Sequence, residues 1–158
     1  MKKNVKIIIG IIIILLIILC IVLYNVFKLD VIKCSNQIKE DTYTINYKYE
    51  IYHKNDVVKK IKLEREVISD NNTVLNFFEK NYKDEFKKYN KDYGGYKVDS
   101  NVDTKKHKML LTAELDMKKV NINKLKGKNT YLKDDIKNKK LYVDGVYKLY
   151  NLNKDKCN

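Results

Sequence analysis

The sequence predicts an α+β fold: an N-terminal transmembrane helix, then a small antiparallel sheet packed against helices, in the order ββαββαα with a candidate closing strand. Three observations carry this. Residues 7–27 contain no charged side chain. Residues 42–68 alternate apolar and polar side chains at period two, with one polar interruption. Residues 73–89 then change to three- and four-residue apolar steps. Period two marks a strand with one buried face, and a period near 3.6 marks an amphipathic helix.

The apolar run comes first. Residues 7–27 at about 1.5 Å each would span roughly 31 Å, the thickness of a bilayer's hydrocarbon core. The run is longer than the apolar region of a cleaved signal peptide, and no small-residue cleavage site follows Tyr24 and Asn25. Cys20 follows Leu19 and Cys34 follows Lys33, so neither has the small preceding residue of a lipidated cysteine. Lys2, Lys3 and Lys6 before the run, against Lys28 and Lys33 after it, favour an inside N-terminus. The expected organisation is a cytoplasmic N-terminus at 1–6, a single-pass anchor at 7–27, a juxtamembrane linker at 28–34 and an extracytoplasmic domain at 35–158.

Within that domain, Tyr43, Ile45, Tyr47, Tyr49 and Ile51 share one face of a first strand. Lys54, Asn55 and Asp56 make a turn, and Val57, Ile61, Leu63 and Val67 line a second strand, giving a long hairpin. Asp70 to Asn72 supply capping side chains for a helix whose stripe is Val74, Phe78, Tyr82, Phe86 and Tyr89. Gly94 and Gly95 allow a tight turn. A third strand follows at Tyr96–Val102 and a fourth at Met109–Met117. A short helix at 118–126 ends on Gly127, a second helix is expected at 132–144, and Val146–Leu152 is the candidate closing strand.

These turns and core positions resemble the YehR-like group of small bacterial lipoproteins, a family without an established function. The shared features are the hairpin turn Asn55-Asp56-Val57-Val58, the turn Tyr93-Gly94-Gly95-Tyr96, and the stretch from Leu115-Asp116-Met117-Lys118 through Leu125. The resemblance covers about residues 40–152. It implies an α+β domain near a membrane and carries over no catalytic or binding residue. The lipid-bearing cysteine of that group has no counterpart here.

Composition bounds the function. Thirty-three basic and 20 acidic side chains give a net charge of +13. Such a balance suits an anionic partner, here anionic lipid or a cell-wall polymer. Arg65 is the sole arginine, which disfavours bidentate phosphate recognition, and the abundance of Lys, Asn, Ile and Tyr matches the codon usage of a low-GC bacterium. His53 and His107 stand apart, without the three or four ligands that a metal requires. Ser35, Ser69 and Ser100 lack a nucleophile elbow, no phosphate-binding loop or dinucleotide fingerprint is present, and Asp134–Asp135 suits a helix start. The chain therefore reads as non-enzymatic, with no cofactor and no nucleic-acid partner. Its tyrosines read as half-buried core.

One pair stands out. Cys34 and Cys157 are the candidate disulfide, closing a loop of about 120 residues and adding roughly 4–5 kcal/mol in the chain-entropy account. The expected function is an accessory or interaction domain at the cell membrane with an unidentified protein partner. The alternative is a small-ligand or peptide-binding module, which would show a pocket lined by Tyr and Phe with converging polar groups.

Overall fold

The computed structural model describes residues 2–158, and the side chains of 12–24 and 28–158. Helix α1 spans Lys2–Phe27. Five strands follow in one antiparallel sheet: β1 (Asp30–Lys39), β2 (Thr44–Lys54), β3 (Val57–Ile68), β4 (Tyr96–Asp103) and β5 (Lys108–Asp116). Their order across the sheet is β1-β2-β3-β5-β4. Helix α2 (Asn72–Asp92) connects β3 to β4 across one face.

The expected membrane anchor is overturned. Among the described residues no helix is long and apolar enough to cross a membrane. Side chains 7–11 and 25–27 of the expected span lie outside the described set. The transmembrane, single-pass and signal-anchor descriptions, and the cell-membrane localisation resting on them, lose their basis.

The hairpin forms as its alternation requires. Tyr49 pairs with Leu63 and Ile51 with Ile61 on the buried face, while Lys48 pairs with Glu64 and Glu50 with Lys62 on the other. Asn55 and Asp56 take φ of 49° and 60°, the double positive φ that lets a two-residue loop match the strand twist. Strand β1 was not anticipated. It takes in the end of the expected linker and the first residues of the expected domain, and only Ile32, Cys34 and Ile38 mark its inward side, with one edge meeting solvent.

The face away from α2 is a checkerboard of charge. One row reads Lys33, Glu50, Lys62, Glu114 and Lys97 across all five strands, alternating in sign at every step. Lys48–Glu64 at 2.7 Å and Lys108–Glu66 at 2.6 Å are its closest ion pairs. Exposed pairs of this kind contribute about 0.2–1 kcal/mol each and, more importantly, leave this face balanced. The basic excess lies elsewhere: residues 118–158 hold twelve lysines against four aspartates.

That C-terminal region departs most from expectation. The first short helix shifts to α3 (Ile122–Lys128). The helix expected at 132–144 is a 3₁₀ turn at Thr130–Leu132 followed by a two-residue hairpin, β6 (Ile136–Lys137) and β7 (Lys140–Leu141). Asn138 and Lys139 supply the same double positive φ, at 50° and 56°. The expected closing strand is instead helix α4 (Val143–Leu149). Several short elements bury Leu132, Ile136, Leu141, Val143 and Val146 in place of the one longer helix.

The core lies between sheet and covering elements. Ile51, Ile61, Val67, Met109, Leu111 and Leu115 from the sheet meet Leu75, Phe86, Leu125 and Leu132. Gly95 sits at φ +91°, and a methyl group there would lie 2.6 Å from Val120 Cγ2 and 3.1 Å from the Asp116 carbonyl. Gly95→Ala is expected to cost about 1–3 kcal/mol, read as a lower denaturant midpoint with an unchanged slope. A midpoint equal to wild type would show that the turn relaxes freely.

Candidate functional site

Two covering elements meet the sheet without closing over it. Helix α2 lies on one part of the inner face, and the segment from α3 to the C-terminus lies on another. Between them runs a trough in two compartments, of about 460 Å³ and 360 Å³. Tyr49, Arg65, Tyr150 and Asn151 line both. Each compartment falls within the roughly 300–1,000 Å³ of small-molecule sites.

Alternation places Arg65 on the apolar face of β3, between Leu63 and Val67. It is 7% exposed. Its guanidinium carbon stands 4.5 Å from the Tyr82 ring centroid, 5.0 Å from Phe86 and 5.7 Å from Tyr47. Nη1 and Nη2 donate to the two oxygens of Glu85 on α2, at 2.5 and 3.3 Å. Burial works against the charged form, and the Glu85 hydrogen bonds and charge outweigh it, so the guanidinium pKa is raised. Nε is buried without a hydrogen-bond partner, among aromatic faces that supply weak N–H···π acceptance at best. Arg65 therefore fixes the floor of the trough and orients a half-buried carboxylate along it.

Tyrosines make the walls. Tyr89 and Tyr93 stack with ring centroids 5.8 Å apart and planes 22° from parallel. The Tyr96 and Tyr150 hydroxyls are 2.8 Å apart, joining β4 to the C-terminal segment, and those of Tyr47 and Tyr82 are 3.3 Å apart. Tyr131 is 54% exposed on the rim, its hydroxyl donating to Asn129 at 2.9 Å. Lys128 reaches Asp92 at 3.7 Å across the rim.

Burial raises the pKa of Tyr49, Tyr82, Tyr89, Tyr96 and Tyr150, and pushes Tyr93 up to about 12. A raised folded pKa means that the fold favours the neutral phenol. The stability this contributes is complete below the unfolded tyrosine value near 10 and is lost as pH rises through the folded values. Absorbance at 295 nm should therefore show only part of the phenolate signal near pH 10. The remainder should appear together with loss of far-ultraviolet dichroism above about pH 12. Full ionisation at pH 10 with the fold intact would contradict the buried cluster.

The other candidate residues are placed as follows. Cys34 and Cys157 are joined, with Cα atoms 4.1 Å apart. Lys33 and Asn158 exchange backbone hydrogen bonds at 2.8 and 2.9 Å, which makes 34/157 a close, non-hydrogen-bonded cross-strand pair. The bond ties the C-terminus to the outer edge of β1 beside the smaller compartment. His53 is the penultimate residue of β2, 4.0 Å from Asp56, and His107 lies in the β4–β5 turn, 3.7 Å from Asp70. No group of three or more potential metal ligands occurs among the described residues. Ser69 donates to the Thr42 carbonyl and Ser100 to Glu79, so both have structural partners. Asp135 accepts from Lys148 at 2.7 Å.

Sequence reasoning missed Arg65, Glu85 and the convergence of the tyrosines. The signal for the first was present: an arginine at an inward position of an otherwise apolar alternation. Glu85 sits within the helix stripe, three residues after Tyr82 and four before Tyr89.

A second concavity, of about 520 Å³, lies over the charge checkerboard, among Lys48, Glu50, Lys62, Glu64, Lys97 and Glu114. Its charges face one another across the strands and it holds no aromatic side chain, so it has the character of a solvated sheet face.

No family model matches the chain, and no curated protein matches it. Among solved structures, an NMR structure of a protein from Streptococcus pneumoniae TIGR4 is similar over 83% of this chain and 84% of that one, with a TM-score of 0.48 and 9% identity.

Proposed function

We propose that this domain is a non-catalytic binding module whose ligand lies in the trough between α2 and the C-terminal segment. The observation that carries the reading is the tyrosine-lined trough over the Arg65–Glu85 pair. Arg65, Glu85 and the tyrosine hydroxyls are held before any ligand arrives, so ordering them costs little on binding.

A thermal-shift screen of the full-length chain against a library of small amphipathic ring compounds tests this. A ligand at one hundred times its Kd stabilises by about 2.7 kcal/mol. Stabilising compounds should lose their effect in Tyr131→Ala, a change at an exposed rim position. A library without any Tyr131-dependent stabiliser would sink the reading.

The twelve lysines of residues 118–158 favour a second reading, in which that lobe meets an anionic polymer. Retention on polyglutamate beads that falls steeply with salt would support it. Salt-independent passage would remove it.

A further inference from the structure

The chemistry of the trough narrows the ligand class. From its lining we infer that it binds a neutral, hydroxyl-rich chain, an oligosaccharide of several rings, with the sugar faces on Tyr89, Tyr93 and Tyr131 and the hydroxyl groups on Glu85, Asp92 and Asn151. This rests on the binding reading above and goes further than it.

Four features lead there. Leu149 is the sole aliphatic among the residues of the larger compartment. A greasy ligand would strip water from the lone pairs that Glu85, Asp92 and the tyrosine hydroxyls keep beyond their protein partners, at about 1–3 kcal/mol for each one buried unpaired. A sugar ring has an apolar C–H face and a polar rim, the same division that a tyrosine has between its ring and its hydroxyl.

Charge is the second feature. The chain carries +13, yet the two compartments together present Arg65, Lys88, Lys128 and Lys156 against Glu85 and Asp92. Glu85 already holds Arg65, and Asp92 lies 3.7 Å from Lys128. Lys156 donates to Asn36 at 3.1 Å. A site for an anion would aim its cations at the ligand; this one spends most of them on its own groups.

Shape is the third. The compartments share four lining residues and run from α2 towards the edge of β1, which suits a linear chain better than one ring. Fixed acceptors are the fourth. The guanidinium of Arg65 holds the Glu85 carboxylate by both oxygens, leaving lone pairs for ligand hydroxyls.

The test is saturation-transfer NMR on the full-length chain with neutral tetrasaccharides of glucose and of N-acetylglucosamine, beside a tetragalacturonate as the anionic comparator. Expected is transfer from tyrosine ring protons to the C–H face of a neutral tetrasaccharide. Its affinity should be unchanged between 50 mM and 500 mM salt and should fall at least tenfold in Tyr131→Ala. Lys97→Ala, on the opposite sheet face, should leave it unchanged. Binding of the galacturonate alone, weakened by salt and by Lys88→Ala, would overturn the neutral-sugar class while the trough remained a binding site. Silence from all three saccharides, with Tyr131-dependent stabilisers in the thermal-shift screen, would overturn this inference alone. Silence in both experiments would overturn both readings.

Discussion

Replacing Cys34 and Cys157 together by alanine is expected to lower stability by about 4–5 kcal/mol, because the cross-link closes 123 residues of sequence separation. For a domain of this size that corresponds to a fall of roughly 10–20 °C in the unfolding midpoint. The cause is mostly in the unfolded chain, which regains the freedom that the loop denied it. A local effect accompanies it. Without the bond, residues 153–158 hold β1 by little more than the Lys33–Asn158 backbone pair and the Lys156–Asn36 contact. The Asn153 and Lys156 wall of the smaller compartment should then exchange its amide hydrogens faster than α2 does. Calorimetry of the double variant, with exchange mapped along the chain, reads both effects. An unchanged midpoint would show that the tail is held by packing alone.

The second large effect is expected at Arg65. Arg65→Ala leaves the Glu85 carboxylate half-buried without its partner and removes the cation packed against Tyr47, Tyr82 and Phe86. Breaking a buried pair from one side costs about 3–5 kcal/mol. Removing both charges with packing kept should cost much less, so Arg65→Met with Glu85→Leu is expected to recover most of that loss. The cycle over the two single variants and the double variant measures the coupling, expected at about 1–3 kcal/mol. Additive losses would mean that the pair is incidental and that the aromatic contacts alone hold this part of the core. The ligand should separate stability from function: the recovered double variant folds yet lacks the oriented carboxylate, and should bind any trough ligand more weakly than wild type.

The two halves of the domain differed in how readily they could be read. The β2–β3 hairpin and α2 were legible because one period runs for many residues in each, and because Asn55-Asp56 and Gly94-Gly95 mark backbone that needs positive φ. Strand β1 was hidden by its position at an edge, where Lys33, Ser35, Asn36 and Gln37 give no alternation that a linker would not also give. The region after Met117 was hidden by brevity. Elements of two, three and seven residues bury one or two side chains each, too few to show a period. The apolar N-terminal run argued for a membrane span by composition, and among the described residues no helix is long and apolar enough to make one.

The trough was the least legible feature, for a related reason. Its residues come from β1, β2, β3, α2, β4 and the C-terminal segment, and only the folded chain brings Tyr49, Tyr96 and Tyr150 together. Each tyrosine alone is indistinguishable from half-buried core, and most are that as well. Arg65 was the exception. An arginine at an inward strand position marks a buried polar cluster, yet the sequence reading used it only against phosphate recognition and missed the cluster.

The most direct measurement of whether the trough binds a ligand is the ring-carbon NMR spectrum of the full-length chain with labelled tyrosines, recorded while a stabilising compound or tetrasaccharide is added. Expected are shifts concentrated on Tyr49, Tyr89, Tyr93, Tyr96, Tyr131 and Tyr150, with Tyr52 on the opposite face unmoved. Shifts at Tyr52, with those six tyrosines silent, would contradict it.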